Sequence, residues 1–132
     1  MMTSTKSLAE EQTKQQILEI GRLLYQRNYV VSNDGNITVM TQPGIVWTTP
    51  TGVSKGSMTA DMLVKVDLDG NVLEGSCKPS SELKMHLRVY IENPGVTAVV
   101  HAHPSCATAF AIAGIALDEP VLVEAILQLG PV

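Results

Sequence analysis

The spacing of turn signals between residues 33 and 74 limits this chain more than any other feature of its sequence. Asn33-Asp34-Gly35-Asn36, Thr41-Gln42-Pro43-Gly44 and Asp67-Leu68-Asp69-Gly70 are turn-forming clusters. Between and around them stand short apolar or alternating runs. Ile37-Thr38-Val39-Met40 reads as one strand, and Ile45 to Thr49 as a second, stopped by Pro50 and Gly52. Met62 to Val66 reads as a third and Asn71-Val72-Leu73-Glu74 as a fourth. A parallel pair needs a crossover of about a dozen residues, and these turns hold only a few. The sheet is therefore expected to be antiparallel or mixed.

Helical patterns flank these strands. Ser7-Leu8-Ala9-Glu10 has the form of a capping box, and Ile17, Leu18, Ile20 and Leu24 follow at helical spacing, predicting an amphipathic helix to about Tyr25. Lys78-Pro79-Ser80-Ser81 opens a second helix to about Ile91, broken by Asn93-Pro94-Gly95. Val96 to His103 is an apolar strand ended by Pro104, and Ser105 to Ile115 an Ala-rich helix. Val121 to Leu129 fits helix and strand equally well. Without repeats or a linker, residues 1–132 read as a single α/β domain. The closing Gly130-Pro131-Val132 is a turn signal with nothing after it, so the chain is expected to be the retained part of a longer protein, truncated at its C-terminus.

Composition excludes several function classes. A chain of 132 residues, 45% hydrophobic and 17% charged, can bury a core and is not disordered. The net charge of −4, without a Lys/Arg cluster, argues against nucleic-acid or anionic-membrane binding. The longest apolar run, Ala109 to Leu117, is broken by Gly114 and falls far short of the roughly 20 residues of a membrane span. The first fourteen residues have no apolar signal-peptide segment. Cys77 and Cys106 are expected to be reduced thiols in a cytoplasmic protein. With aromatics at 4%, the core must be made of Val, Ile, Leu and Ala.

The residues that can carry chemistry fall into two groups. His101 and His103 lie at i and i+2 of the expected strand, on one face, which suits either a zinc site or a hydrogen-bonded histidine pair. Glu82 falls in the first turn of the second helix, where it also complements the helix dipole, and His86 follows one turn later. Pro79-Ser80-Ser81, at that helix start, offers N–H groups and hydroxyls to an anion. Thr49-Pro50-Thr51-Gly52 and Asp34-Gly35-Asn36 add donors from glycine-bearing turns.

Read in order, Gly35-Asn36-Ile37-Thr38, Thr49-Pro50-Thr51-Gly52, Lys78-Pro79-Ser80-Ser81-Glu82 and His101-Ala102-His103 resemble the class II aldolase/adducin family, closest in motifs to L-fuculose-1-phosphate aldolase. The resemblance runs from the first helix to the last residue. It implies a three-layer α/β/α fold around a mainly antiparallel sheet. It also implies a zinc-dependent lyase that cleaves a small ketose phosphate into dihydroxyacetone phosphate and an aldehyde. By resemblance, His101 and His103 match two of three zinc-binding histidines, and Glu82 the acid/base that can also approach the metal. Gly35 with Asn36, Thr51 with Gly52, and Ser80 with Ser81 match the groups that hold the substrate phosphate. Relatives are homotetramers with sites at subunit interfaces. Similar motifs occur in sugar-phosphate dehydratases, decarboxylases and 4-epimerases, and in adducin-like modules without metal; the epimerases typically carry Asp where this chain has Glu82. One departure stands out. The family's third zinc histidine lies well downstream of the H-x-H pair, and no histidine follows His103. His86 matches a helix position where relatives also carry His without using it as a ligand.

Overall fold

The computed structural model describes residues 2–118 together with 123, 127 and 128, with side chains from residue 8 onward. The chain divides into two compact units, Met1–Ala102 and His103–Val132.

In the first unit, helix α1 (Met2–Gln26) leads into strands β1 (Asn36–Gln42) and β2 (Ile45–Thr48). A single 3-10 turn, Ala60–Met62, precedes β3 (Val64–Asp67) and β4 (Val72–Glu74). Helix α2 (Leu83–Glu92) and strand β5 (Ala98–His101) follow. The five strands form one sheet in the order β4-β3-β2-β1-β5, and every pairing is antiparallel, as the short turns require. Strand β5 returns after α2 to pair with the far side of β1, setting Asn36 opposite His101 and Ile37 opposite Val100.

Strand alternation sorts the side chains into two cores, one on each face of the sheet. Val46, Val64 and Val66 pack against Leu83, Leu87 and Tyr90 of α2. Ile37, Trp47 and Leu63 pack against Ile17 of α1. Helix, sheet and helix thus make three layers. Trp47, 1% exposed, carries the ammonium groups of Lys14 and Lys65 over its ring, 4.4 and 4.8 Å from the centroid. In the second unit, α3 (Ser105–Ala113) ends at Gly114 in the left-handed conformation, φ +67°. No helix among the described residues is long and apolar enough to cross a membrane. Most of the Val121–Leu129 stretch lies outside the described residues.

The starts of α1 and α2, the end of β5 and the buried face of α1 differ from the sequence expectation. Helix α1 runs through Ser7–Glu10 rather than starting there, and the Glu10 carboxylate instead accepts from Lys65 Nζ at 3.0 Å. A tertiary ion pair has taken the group a capping box would use. The buried face of α1 runs through Ile17 and Gly21, while Ile20 is exposed; the helix approaches its neighbours where it has least side chain. Helix α2 begins at Leu83 rather than at Ser80, because Ser80 Oγ accepts from Glu82 N–H and holds residues 80–82 in a turn. Strand β5 ends at His101, short of His103, because its partner β1 begins at Asn36 and offers no further residue.

Leu87, 4% exposed between α2 and the sheet, tests the three-layer packing. Leu87→Ala is expected to lower unfolding free energy by about 2–5 kcal/mol in urea titrations.

Candidate active site

Three chain segments meet at the N-terminal end of β1. Thr49 and Ile37 exchange backbone bonds and a side-chain bond: Thr49 N–H donates to Ile37 O at 3.1 Å, and Ile37 N–H to Thr49 Oγ1 at 3.2 Å. Ser80 N–H donates to Thr49 O at 3.1 Å and Thr51 N–H to Lys78 O at 3.0 Å, around a bridge between Pro50 and Pro79. The turns carrying Asn36, Thr51-Gly52 and Ser80-Ser81-Glu82 are thereby held side by side.

Asn36, 3% exposed, joins them through its side chain. Its Nδ2 donates to Ser80 Oγ at 2.7 Å, and its Oδ1 stands 3.2 Å from His101 Nδ1. A carbonyl oxygen only accepts, so the His101 ring donates to it through Nδ1–H. Metal-binding histidines are commonly oriented by such a bond. Ser80 Oγ already accepts from Asn36 and from Glu82 N–H at 3.2 Å, so the hydroxyl proton is the part it can offer a ligand. Thr51, Gly52, Ser81 and Glu82 are exposed. Gly35 is required on two grounds: its φ is +70°, and a Cβ would stand 2.5 Å from Val30 Cγ1 and 2.8 Å from the His101 carbonyl oxygen.

Glu82 occupies the N-cap position of α2, not its first turn, and its side chain makes no capping bond. Its charge still lies at the positive end of the helix dipole, without a hydrogen bond to hold it there. His101 closes β5, whereas His103 lies beyond the strand, in the second unit. The same-face argument for the two imidazoles does not hold, because strand alternation stops at His101. Among the described residues, no three His, Cys, Asp or Glu side chains gather closely enough to hold a metal ion. The set His101, His103 and Glu82 is still of the nitrogen and carboxylate type that zinc accepts.

His86 is fully buried, its ring 6.4 Å from that of His101 at 68°. Its Nδ1 is 2.9 Å from Thr38 Oγ1, which is 2.8 Å from Tyr90 Oη. Its Nε2 is buried without a hydrogen-bond partner. Burial, and next the nearby His101, push its pKa down to about 4. It is a neutral, buried histidine packed beside His101. Sequence reasoning gives no sign that Thr38, Thr49 and Lys55 are interior. Nothing in a threonine of a strand or a lysine of a polar turn marks it for burial, yet all three are no more than 2% exposed.

Residues 15–129 match the family described as the Class II Aldolase and Adducin N-terminal domain, and this chain belongs to that family. It is 42% identical over 95 residues to the L-fuculose phosphate aldolase of Methanococcus maripaludis, covering 72% of this chain and 51% of that protein. It is 40% identical over 96 residues to the 3-oxo-tetronate 4-phosphate decarboxylase of Haemophilus influenzae, covering 73% and 45%. The chain thus spans about half the length of the curated relatives it matches. Among solved structures, YgbL of Klebsiella pneumoniae superposes with a TM-score of 0.85 at 31% identity, covering 92% of this chain and 60% of that one. The L-fuculose-1-phosphate aldolase of Thermus thermophilus gives 0.73 at 31%, covering 88% and 58%. The class II aldolase-like fold implied by the motifs is the fold observed.

The buried His86 sets a pH dependence. The folded chain holds it neutral down to about pH 4, whereas an unfolded histidine takes up a proton near 6.5. The unfolded state therefore binds more protons between these values, and stability falls as pH drops through that window. The loss is expected to reach about 3 kcal/mol near pH 4. Urea midpoints between pH 7 and 4, with an NMR titration of the His86 C2 proton, check it.

Proposed function

We propose that this chain provides the phosphate- and metal-binding half of a lyase acting on a small phosphorylated sugar, with aldol cleavage as the reaction. The observation that carries this reading is the double bond of Asn36, to Ser80 in the anion-holding turn and to His101. It makes one rigid unit of a phosphate cradle and an imidazole. The relatives' names and the motif match support the same substrate class.

In this reading Asn36, Ser80 and Ser81, with Gly35, Thr51 and Gly52, hold the substrate phosphate by side-chain and backbone donors. His101 and His103, with Glu82 at hand, hold a divalent ion, zinc by the character of its ligands. That ion supplies a Lewis acid for the ketose carbonyl. Glu82, exposed at the end of α2, moves the proton of the nucleophilic carbon. As the carbon–carbon bond breaks, the hydroxyl on the departing carbon gives its proton to water and becomes the aldehyde carbonyl, the electron pair stays on the dihydroxyacetone phosphate fragment, and protonated Glu82 delivers a proton to the carbon that holds the pair. The phosphate grip fixes the carbon against the carboxylate, which is how positioning lowers the barrier. We further propose one class II aldolase-type domain across the chain, a cytoplasmic setting and a homotetrameric assembly.

The similarity to a tetronate-phosphate decarboxylase, nearly equal to that with the aldolases, favours decarboxylation as the second reading. Assays of a ketose 1-phosphate and a 3-oxo-tetronate 4-phosphate, read for triose phosphate and for carbon dioxide with an EDTA control, separate the two. Triose phosphate released from the ketose 1-phosphate and lost on chelation is the expected result; turnover of the 3-oxo-tetronate 4-phosphate alone, which yields triose phosphate together with carbon dioxide, would overturn the aldolase reading. Glu82→Gln is expected to cut turnover at least about a hundredfold with the metal still bound. Substantial activity in that variant would remove Glu82 from the proton-transfer role. A folded, metal-free protein inactive on both substrates would favour an adducin-like module.

A further inference from the structure

Lys55 is 2% exposed, yet its ammonium lies between two turns of the anion site. Its Nζ donates to the Val53 carbonyl at 2.8 Å and to the Asn33 carbonyl at 3.2 Å. Val53 directly follows Thr51-Gly52, and Asn33 opens the turn that carries Gly35 and Asn36. The bonds therefore join the backbone just outside each turn.

The base of this strut is anchored. A Cβ on Gly21 of α1 would stand 2.9 Å from the Lys55 carbonyl oxygen, and one on Gly56 would stand 2.6 Å from the Tyr25 ring. Helix and loop thus approach closely on both sides of Lys55, leaving its main chain little room to shift. Burying an ammonium is expensive unless acceptors surround it, and a Met of similar length would fill the volume without that cost. Burial lowers the pKa of Lys55 while the charge of Asp34 raises it, so the site partly compensates for holding a cation. What an ammonium offers here, and an apolar chain does not, is two directed bonds to two separate turns.

We propose that Lys55 is a positioning residue of the anion site, a buried strut that sets the separation of the turn at residues 33–36 from the turn at residues 51–54. The inference rests on the reading of these turns as a phosphate cradle. Lys55 touches no substrate in this role. It acts through the donors of Thr51 and Gly52, whose distance from Asn36, itself fixed by Ser80 and His101, must fit one phosphate group.

The test uses the 132-residue chain and inorganic phosphate as the probe. Lys55→Met keeps the side-chain length and removes both bonds. At a temperature where circular dichroism shows the variant folded, its phosphate affinity should fall at least about tenfold, while zinc affinity, which depends on the Asn36–His101 bond, should change less than about threefold. Phosphate affinity equal to wild type would overturn the strut. Equal losses of phosphate and zinc affinity would also overturn it, as the mark of general loosening. Amide exchange on the unmodified chain gives a second reading if the variant does not fold. Phosphate should slow exchange in residues 33–36 and 51–54 by a common factor, and protection confined to one turn would overturn the proposal. A wild-type chain that binds no phosphate at all would instead overturn the cradle reading itself, and this inference with it.

Discussion

The side-chain amide of Asn36 has a donating end and an accepting end, and the candidate site depends on that difference. One end is satisfied by Ser80 Oγ and the other by the Nδ1–H of His101. Each bond removes an ambiguity. The first holds the hydroxyl of a turn that would otherwise rotate freely. The second orients an imidazole by taking its Nδ1–H. Because Asn36 is buried and paired across the sheet with His101, neither bond can wander without disturbing the β1–β5 ladder. An aspartate would reverse the Ser80 bond, since a carboxylate only accepts and the hydroxyl would have to give up the proton it can otherwise offer a ligand.

The rest of the first unit supports this junction with polar groups placed inside an apolar shell. Thr38, His86 and Tyr90 form a hydrogen-bonded column between α2 and the sheet, behind His101. Thr49 bonds to Ile37 through both its backbone and its hydroxyl. Buried polar networks of this kind add less to stability than to uniqueness, because a misplaced partner strands a polar group away from water. The apolar layers of Val46, Val64 and Val66 on one face and Trp47 and Ile37 on the other make that interior dry.

The similarity to relatives named for two different reactions follows from where the shared residues act. In the proposed reading, a phosphate cradle, an imidazole and a carboxylate would serve any reaction that stabilises charge next to a carbonyl. The choice between cleaving a carbon–carbon bond to an aldehyde and losing carbon dioxide rests on groups at the other end of the substrate. These motifs do not report on that end, and identities of 42% and 40% to the two kinds of relative reflect it.

Much of the architecture was legible in the residues. The turns at 41–44 and 67–70 dictated hairpins, hence antiparallel pairing, and Gly35, Gly44 and Gly70 all take the positive φ that such turns need. The motifs named the family, and Asn36, Ser80 and His101 are in fact bonded to one another. Other features depended on contacts between residues far apart in sequence. The end of β5 at His101 was set by where its partner begins, the start of α1 by the loss of Glu10 to Lys65, and the buried face of α1 by close packing at Gly21. The strut at Lys55 depends on two carbonyls brought near it only by folding. Sequence by itself determined the strand polarity, the family and the residue types of the site, since turn geometry and side-chain chemistry are local properties. Only the tertiary structure decided which nitrogen of His101 meets Asn36, that His103 leaves the strand, and that a lysine is buried, because each depends on a partner from another segment.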